Sequence, residues 1–180
     1  LNRTREYMTD DQRFAARRPD VLVYQMGPLT QPITVAGTIT ADLWVSLSTT
    51  DADFVVKLID VFPDTLKGVE NGVPMGGYQM LVRGEIMRGR YRNGFDKPQP
   101  FVPGSLTQVR FDLPDVSHTF LPGHRLMIQV QSSWFPLADR NPQQFVNIYK
   151  AKDEDFVPAN IQVFHTAVGP SGVILPMVRR

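Results

Sequence analysis

The stretch Thr34–Ser48 reads TVAGTITADLWVSLS, and its alternation decides the fold class. Apolar side chains share one parity, and polar side chains occupy most of the other. The apolar set is Val35, Ile39, Ala41, Leu43, Val45 and Leu47. Successive side chains of a β-strand point to opposite faces, so this period of two predicts a strand with one face in a core. Trp44 is the large apolar residue on the polar face.

Further segments with the composition of β-strands lie on both sides of this stretch. They are Val21–Tyr24, Phe54–Phe62, Gln79–Tyr91, Leu106–Leu113, Arg125–Ser132, Phe145–Lys150, Ile161–Thr166 and Val173–Val178. Turn-forming pairs such as Asn71-Gly72 and Pro122-Gly123 separate them. We therefore expect an all-β protein, an antiparallel β-sandwich of the Greek-key or jelly-roll type.

The first twenty residues have a different character. Thr9 and Gln12 have the spacing of a capping box, and the run that follows can form two helical turns before Pro19 ends them. We predict an extended arm at Leu1–Met8 and a short helix, so that residues 1–20 precede a β-domain of residues 21–180. The chain begins at Leu1 without a basic and apolar leader, and we expect a processed chain or part of a longer one.

Composition excludes several classes of function. The 180 residues carry 19 basic and 18 acidic side chains, which predicts neither a nucleic acid nor an anionic membrane as partner. No apolar run approaches the roughly 18 residues of a membrane span. The chain has no cysteine, which excludes disulfides, a thiol nucleophile and cysteine-built zinc sites. These features assign no cellular compartment and leave a homo-oligomer possible.

Candidate catalytic and metal-binding residues are few. None of the serines lies in a G-x-S-x-G elbow, so we predict no catalytic residue in this chain. His118 and His124 flank a Pro-Gly turn with Asp115 nearby, but their spacing matches no zinc signature. A structural role for both histidines is the favoured interpretation, and we predict neither a metal nor a cofactor.

Charged residues elsewhere have structural interpretations. Asp51 and Asp53 precede a strand, and we expect them in a solvated turn. Arg88, Arg90 and Arg92 alternate, which would place them on one face of a strand. Such a row more often pairs with carboxylates of a neighbouring strand, or docks on another domain, than it binds nucleic acid.

Two large aromatic residues, Trp134 and Phe135, follow the strand Arg125–Ser132 and precede a turn that contains proline. One interpretation exposes them at the end of the sandwich, where loops meet ligands or partner domains. The other folds both into the core, since large aromatic side chains are mostly buried. The residues alone leave both interpretations open.

Several strings resemble the C-terminal domain of the X-Pro dipeptidyl-peptidase/CocE/NonD hydrolase family. They are Arg18–Tyr24, Thr50–Asp64, Arg83–Arg92, Pro122–Leu126, Ser132–Pro136, Asp139–Pro142 and Ile174–Pro176. The blocks follow the family's order from Asp11 to the end of the chain. The variant Trp134–Leu137 is most similar to the α-amino-acid ester hydrolase and glutaryl cephalosporin acylase branch.

This resemblance implies a role beside a catalytic domain. Family members have an α/β-hydrolase domain with a Ser-Asp-His triad, a helical cap domain and a C-terminal jelly roll of the galactose-binding type. The triad belongs to the upstream domain, so no catalytic residue carries over and we expect this chain alone to be inert. Its partners would be the hydrolase and cap domains of its own parent, whose substrate pocket it would help to shape.

The candidate contacts with those domains are Tyr7 and Met8 in the arm, together with Trp134 and Phe135 at the strand exit. We expect them at the rim of the substrate pocket or in the interdomain contact. The alternative is a carbohydrate-binding module that uses Trp134, Phe135 or Trp44 as stacking platforms. Exposed, coplanar rings would favour the alternative, and buried rings would disfavour it.

Overall fold

Strands dominate residues 10–70 and 72–178, the residues that the computed structural model describes. The one α-helix among them is α1, Arg13–Ala16. The strands are β1 Val21–Gln25, β2 Ile33–Leu47, β3 Asp53–Val61, β4 Val69–Glu70, β5 Val73–Pro74, β6 Gln79–Arg88, β7 Thr107–Phe120, β8 Arg125–Gln131, β9 Ile161–Val163 and β10 Gly172–Ile174. Short 3-10 turns occupy Gly89–Tyr91, Ile148–Lys150 and Asp153–Asp155.

Two antiparallel sheets form the body of the domain. Sheet A has the order β1-β8-β3-β6, and sheet B has the order β10-β2-β7, with β9 also paired to β2. The chain passes from sheet A to sheet B and back several times, while β4 and β5 form a separate hairpin. The all-β antiparallel sandwich predicted from the sequence is therefore confirmed.

Strand β2 shows why the alternation predicted the fold correctly. All six apolar residues of its predicted inner face are buried between the sheets. Strand β2 pairs with β7 from Ile33 opposite Phe120 to Val45 opposite Thr107, with a bulge between Gly37 and Ile39. Gly37 has φ 122°, which a residue with a side chain rarely adopts, so the bulge falls at this glycine.

Strand β3 is buried on both faces, which makes sheet A the middle layer of the molecule. Phe54, Val56 and Leu58 face sheet B in the main core. The opposite face, which we call the outer face of sheet A, carries Lys57 and Ile59, and both are fully buried as well. Residues 10–18, including α1, and the segment after β8 cover this outer face.

Several predicted elements differ from the structure. The predicted strand Phe145–Lys150 is wrong, because the carbonyls of Gln144 and Val146 accept hydrogen bonds from Arg90, and Asn147 caps a 3-10 turn. The long strand predicted to reach Tyr91 ends at Arg88, because a 3-10 turn starts at Gly89. The hairpin of β4 and β5 was not predicted.

The N-terminal helix is shorter than predicted. It spans one turn, and Gln12 precedes it without a side-chain cap. The Gln12 side chain instead accepts a hydrogen bond from Lys57, at 2.9 Å to Oε1. Thr9 and the predicted arm Leu1–Met8 lie outside the described residues. In the described part of the chain, no helix has the length and apolar character needed to cross a membrane.

Candidate functional site

The segment after β8 places the two candidate aromatic residues in different environments. Trp134 is half-buried, and its ring centroid lies 4.5 Å from Lys57 Nζ on the outer face of sheet A. Gly84 lies beneath this ring, where a Cβ would come within 2.8 Å of the indole. Phe135 is 58% exposed. Of this pair, Phe135 therefore presents the apolar surface, and Trp134 holds the segment to the sheet.

A third aromatic residue, Phe14 of α1, lies on the same side of the molecule. Its ring centroid is 5.6 Å from Lys57 Nζ, and its side chain is 58% exposed. Phe14 and Trp134 approach the same ammonium group, so Phe14 and the segment that carries Phe135 both lie at the outer face of sheet A. We call these two exposed side chains the aromatic surface. The sequence signal for Phe14 was weak, since it is the one aromatic residue in the stretch of residues 10–18.

A buried polar network anchors the segment that carries Phe135. Asn141 Nδ2 donates to Asp51 Oδ2 at 3.1 Å and to Asp53 Oδ1 at 2.7 Å. Both aspartates are buried, so the prediction of a solvated turn is wrong. Burial raises the pKa of the Asp53 carboxyl, while hydrogen bonds from Asn141 and Arg88 act in the opposite direction.

The arginines complete this network. Arg88 Nε donates to Asp53 at 3.1 Å, and Arg90 Nε donates to Asp51 at 2.7 Å. Pairing with carboxylates next to the neighbouring strand was one of the sequence interpretations, and the contacts of Arg88 and Arg90 agree with it. Arg92 departs from the row, because its guanidinium donates to main-chain carbonyls of Gly89, Gln99 and Pro100.

The histidines have structural partners. His118 Nε2 lies 2.9 Å from one carboxylate oxygen of Asp60, and His124 Nδ1 lies 2.8 Å from the other. Asp115 instead accepts a hydrogen bond from Thr38. The two histidines thus converge on a buried carboxylate of β3. In the described residues, no three His, Asp or Glu side chains are grouped to hold a metal ion.

No catalytic pairing is found within residues 10–70 and 72–178. All three histidines lie there, and none is hydrogen bonded to a serine: His165 Nε2 lies 2.7 Å from the hydroxyl of Tyr24. A groove of about 670 Å³ runs beside the anchored segment, with Asp20, Ser133 and Arg140 in its polar lining. This groove can hold polar groups, and no histidine lines it.

The aromatic rings do not form a stacking platform for sugars. The Trp134 ring is occupied by Lys57 and Gly84, and Trp44 is half-buried beside Gly169. Phe135 stands without a coplanar aromatic partner among the described residues. The geometry therefore gives no support to the carbohydrate-binding alternative. Tyr7 and Met8 lie outside the described residues.

Fold and site together define an antiparallel β-sandwich domain, with one anchored segment that exposes an aromatic side chain. A family model described as the X-Pro dipeptidyl-peptidase C-terminal non-catalytic domain matches residues 4–163. Because the match covers most of the sequence, the chain belongs to this family of non-catalytic C-terminal domains. The resemblance carried by the sequence strings is thereby confirmed.

Similar proteins of known name are enzymes of greater length. An aminopeptidase from a marine sediment Thaumarchaeota archaeon is 49% identical, with a TM-score of 0.87 over 94% of this chain and 28% of that chain. An α-amino-acid ester hydrolase is 46% identical, with a TM-score of 0.87 over 93% of this chain and 27% of that chain. Cocaine esterase of Rhodococcus sp. is 38% identical over 94% of this chain and 28% of its own length. The chain thus spans less than a third of each relative.

Proposed function

We propose that this chain is the C-terminal domain of a serine hydrolase that acts on esters, amides or X-Pro peptides. In this proposal it packs on the hydrolase and cap domains and shapes the substrate pocket. The observation that carries the proposal is the exposed Phe135 on a segment held by the buried network of Asn141. Residues 1–20 would connect the hydrolase domain to the jelly roll of residues 21–180, with Tyr7 and Met8 in the contact.

The physical advantage of such a domain is the exclusion of water. Acyl transfer develops charge on an oxygen atom, and fixed dipoles stabilise that charge more strongly in a dry site. A rigid apolar wall also restricts how substrate lies against the nucleophile. Phe135 suits this task because its neighbour Trp134 is fixed on Lys57 and Asn141 is fixed on Asp51 and Asp53.

Phe135→Ala in the full-length parent is expected to lower kcat/KM in a way that depends on substrate size. Loss of about 10-fold for a bulky substrate corresponds to one displaced apolar contact of about 1.4 kcal/mol. A small acylating probe should still label the nucleophile at the unchanged rate, since the triad is untouched. Steady-state kinetics on an ester series and probe labelling measure both effects.

The matched control is Val168→Ala. Val168 is 75% exposed and precedes Gly169, which packs on Trp44 at the far side of sheet B. Its truncation should leave all kinetic constants unchanged. Equal kinetics for Phe135→Ala and the parent across every substrate size, at equal stability, would argue against the proposed contact.

The isolated chain is expected to hydrolyse neither p-nitrophenyl esters nor X-Pro nitroanilides above the buffer rate. The reason is that no serine of the described residues is hydrogen bonded to a histidine, and the family's domain is non-catalytic. Initial rates with and without the chain test this expectation. Turnover that disappears on substitution of a single serine of this chain would contradict it.

A further inference from the structure

Lys57 is the buried cation whose surroundings the proposed function leaves unexplained. It lies in the middle of β3, is fully buried, and faces the outer side of sheet A. Among the described residues its ammonium donates one hydrogen bond, to Gln12 Oε1 at 2.9 Å. The rings of Trp134 and Phe14 lie 4.5 Å and 5.6 Å from it. Aromatic faces stabilise a cation by about 0.5 to 2 kcal/mol each, less than full hydration does.

No carboxylate balances this charge in the described part of the chain. On the neighbouring strands, the register partners of Lys57 are Gln129 of β8 and Gly84 of β6, both uncharged. The fully buried Gln129 leaves its Oε1 without a donor among the described residues. Lys57 thus has one hydrogen-bond acceptor and no counter-ion among the described residues, and its register partner Gln129 buries an amide oxygen without a donor. Burial in this form is unfavourable for both groups.

Among the described residues, the charged side chain that acts on Lys57 is Arg18, and its positive charge adds to the cost of burial. On the covering segment, Asp11 is paired with Arg13. Farther along the same face of β3, Asp53 is engaged by Arg88 and Asn141, as described above.

The segment of residues 10–18, which we call the cover, closes the site. Gln12 attaches the cover to sheet A: the Gln12 main-chain N–H donates to Gln79 O at 3.0 Å, and the Gln12 side-chain oxygen accepts from Lys57. Gln129 Nε2 donates to Gln12 O at 3.4 Å. The cover has a single helical turn, and its further attachments in the described residues are a hydrogen bond from Gln79 N to Asp11 Oδ1 at 3.3 Å and one from Arg13 to Gly76 O at 3.5 Å. A segment held by so few bonds is expected to open while both sheets remain intact.

We propose that the cover is a pH-sensitive flap, which opens more readily when Lys57 is protonated and closes more firmly when Lys57 is neutral. Opening hydrates the ammonium, whereas closing strips its water without supplying a counter-ion. The cover carries Phe14 of the aromatic surface, so its opening or closing changes which apolar side chains are exposed on the outer face of sheet A. This inference does not depend on the proposed role in a hydrolase.

The direction of the pH effect follows from the two states. Burial, with a smaller effect from Arg18, lowers the pKa of Lys57 from 10.5 to about 8 in the closed state. In the open state the side chain is hydrated, and its pKa returns toward the ordinary value. Below pH 8 both states are protonated, so opening is easiest there. Between pH 8 and pH 10.5 the closed state is neutral and the open state is charged, so opening becomes harder as pH rises.

A single introduced thiol can measure the opening, because the chain has no cysteine. Ala15 of α1 is fully buried, so Ala15→Cys reports exposure of the cover. The protection factor is the labelling rate of the urea-unfolded chain divided by that of the native chain at the same pH. We expect it to rise on the order of 50-fold from about pH 7 to about pH 10, as a shift from 10.5 to about 8 requires. Ala41→Cys, in the core between the sheets, reports global unfolding and should be protected far more strongly.

Two further variants test the cause. In the Ala15→Cys background, Lys57→Met should remove the pH dependence of protection. Gln12→Glu places a carboxylate next to Lys57 with little change of shape. The protection factor should therefore increase at pH 7, and it should rise little further as the pH is raised to 10. A rise with pH that persists in both variants, or equal protection at Ala15 and Ala41, would overturn the proposal. Should Lys57→Met fail to fold, Gln12→Glu alone decides between these outcomes.

Discussion

Asp51→Ala is expected to lower the free energy of unfolding by about 3 to 5 kcal/mol, because it breaks a buried ion pair from one side. The variant leaves the Arg90 guanidinium without its carboxylate and removes an acceptor from Asn141. The Arg90 side chain cannot reach water without abandoning the carbonyls of Gln144 and Val146. Urea denaturation followed by tryptophan fluorescence measures the loss.

Asp20→Ala provides the matched control for this result. Asp20 also pairs with an arginine, Arg18, but both side chains are about half exposed. Exposed pairs of this kind contribute about 0 to 1 kcal/mol. A loss for Asp51→Ala as small as that for Asp20→Ala would mean that the network is not a structural anchor.

Leu43→Ala is expected to cost about 2 to 5 kcal/mol, since Leu43 is 2% exposed on the inner face of β2. Truncation leaves a cavity between the sheets that the rigid strand pairs around it cannot close. The control is Leu121→Ala, the same change at a turn position that is 52% exposed, where the effect should stay within about 0.5 kcal/mol. Thermal and urea unfolding of both variants give the comparison. Equal losses would show that the face assignment of β2 is wrong.

The strands could be predicted where a local pattern carries the information. In β2 the side chains alternate in polarity, and burial follows that alternation residue by residue. The segment Phe145–Lys150 also has the composition of a strand, yet its conformation is set by Arg90, more than fifty residues away in sequence. Such a distant partner leaves no trace in the local pattern.

The candidate site was less predictable than the strands, because its contacts also join residues that are far apart in sequence. The exposure of Phe135 was one of two open interpretations, and the other describes Trp134 more closely. In the sequence Asp51 and Asp53 have the pattern of solvated turn residues, whereas in the fold Arg90 and Arg88 pair with them. Lys57 breaks the apolar run of β3, and this was a usable signal. The hydrogen-bond partner of Lys57 is Gln12 of the cover, and the side-chain pattern of β3 contains no information about that residue.

The placement of the cover has a practical consequence for anyone who exchanges this domain between related hydrolases. A chimera joined at Pro19, in front of the first strand, would take β3 with its lysine from one parent and residue 12 from the other. If the donor lacks a glutamine there, the amine in the sheet loses its sole hydrogen-bond acceptor among the described residues. The crossover should therefore be made upstream of Asp10, so that a cation and the segment above it are inherited together.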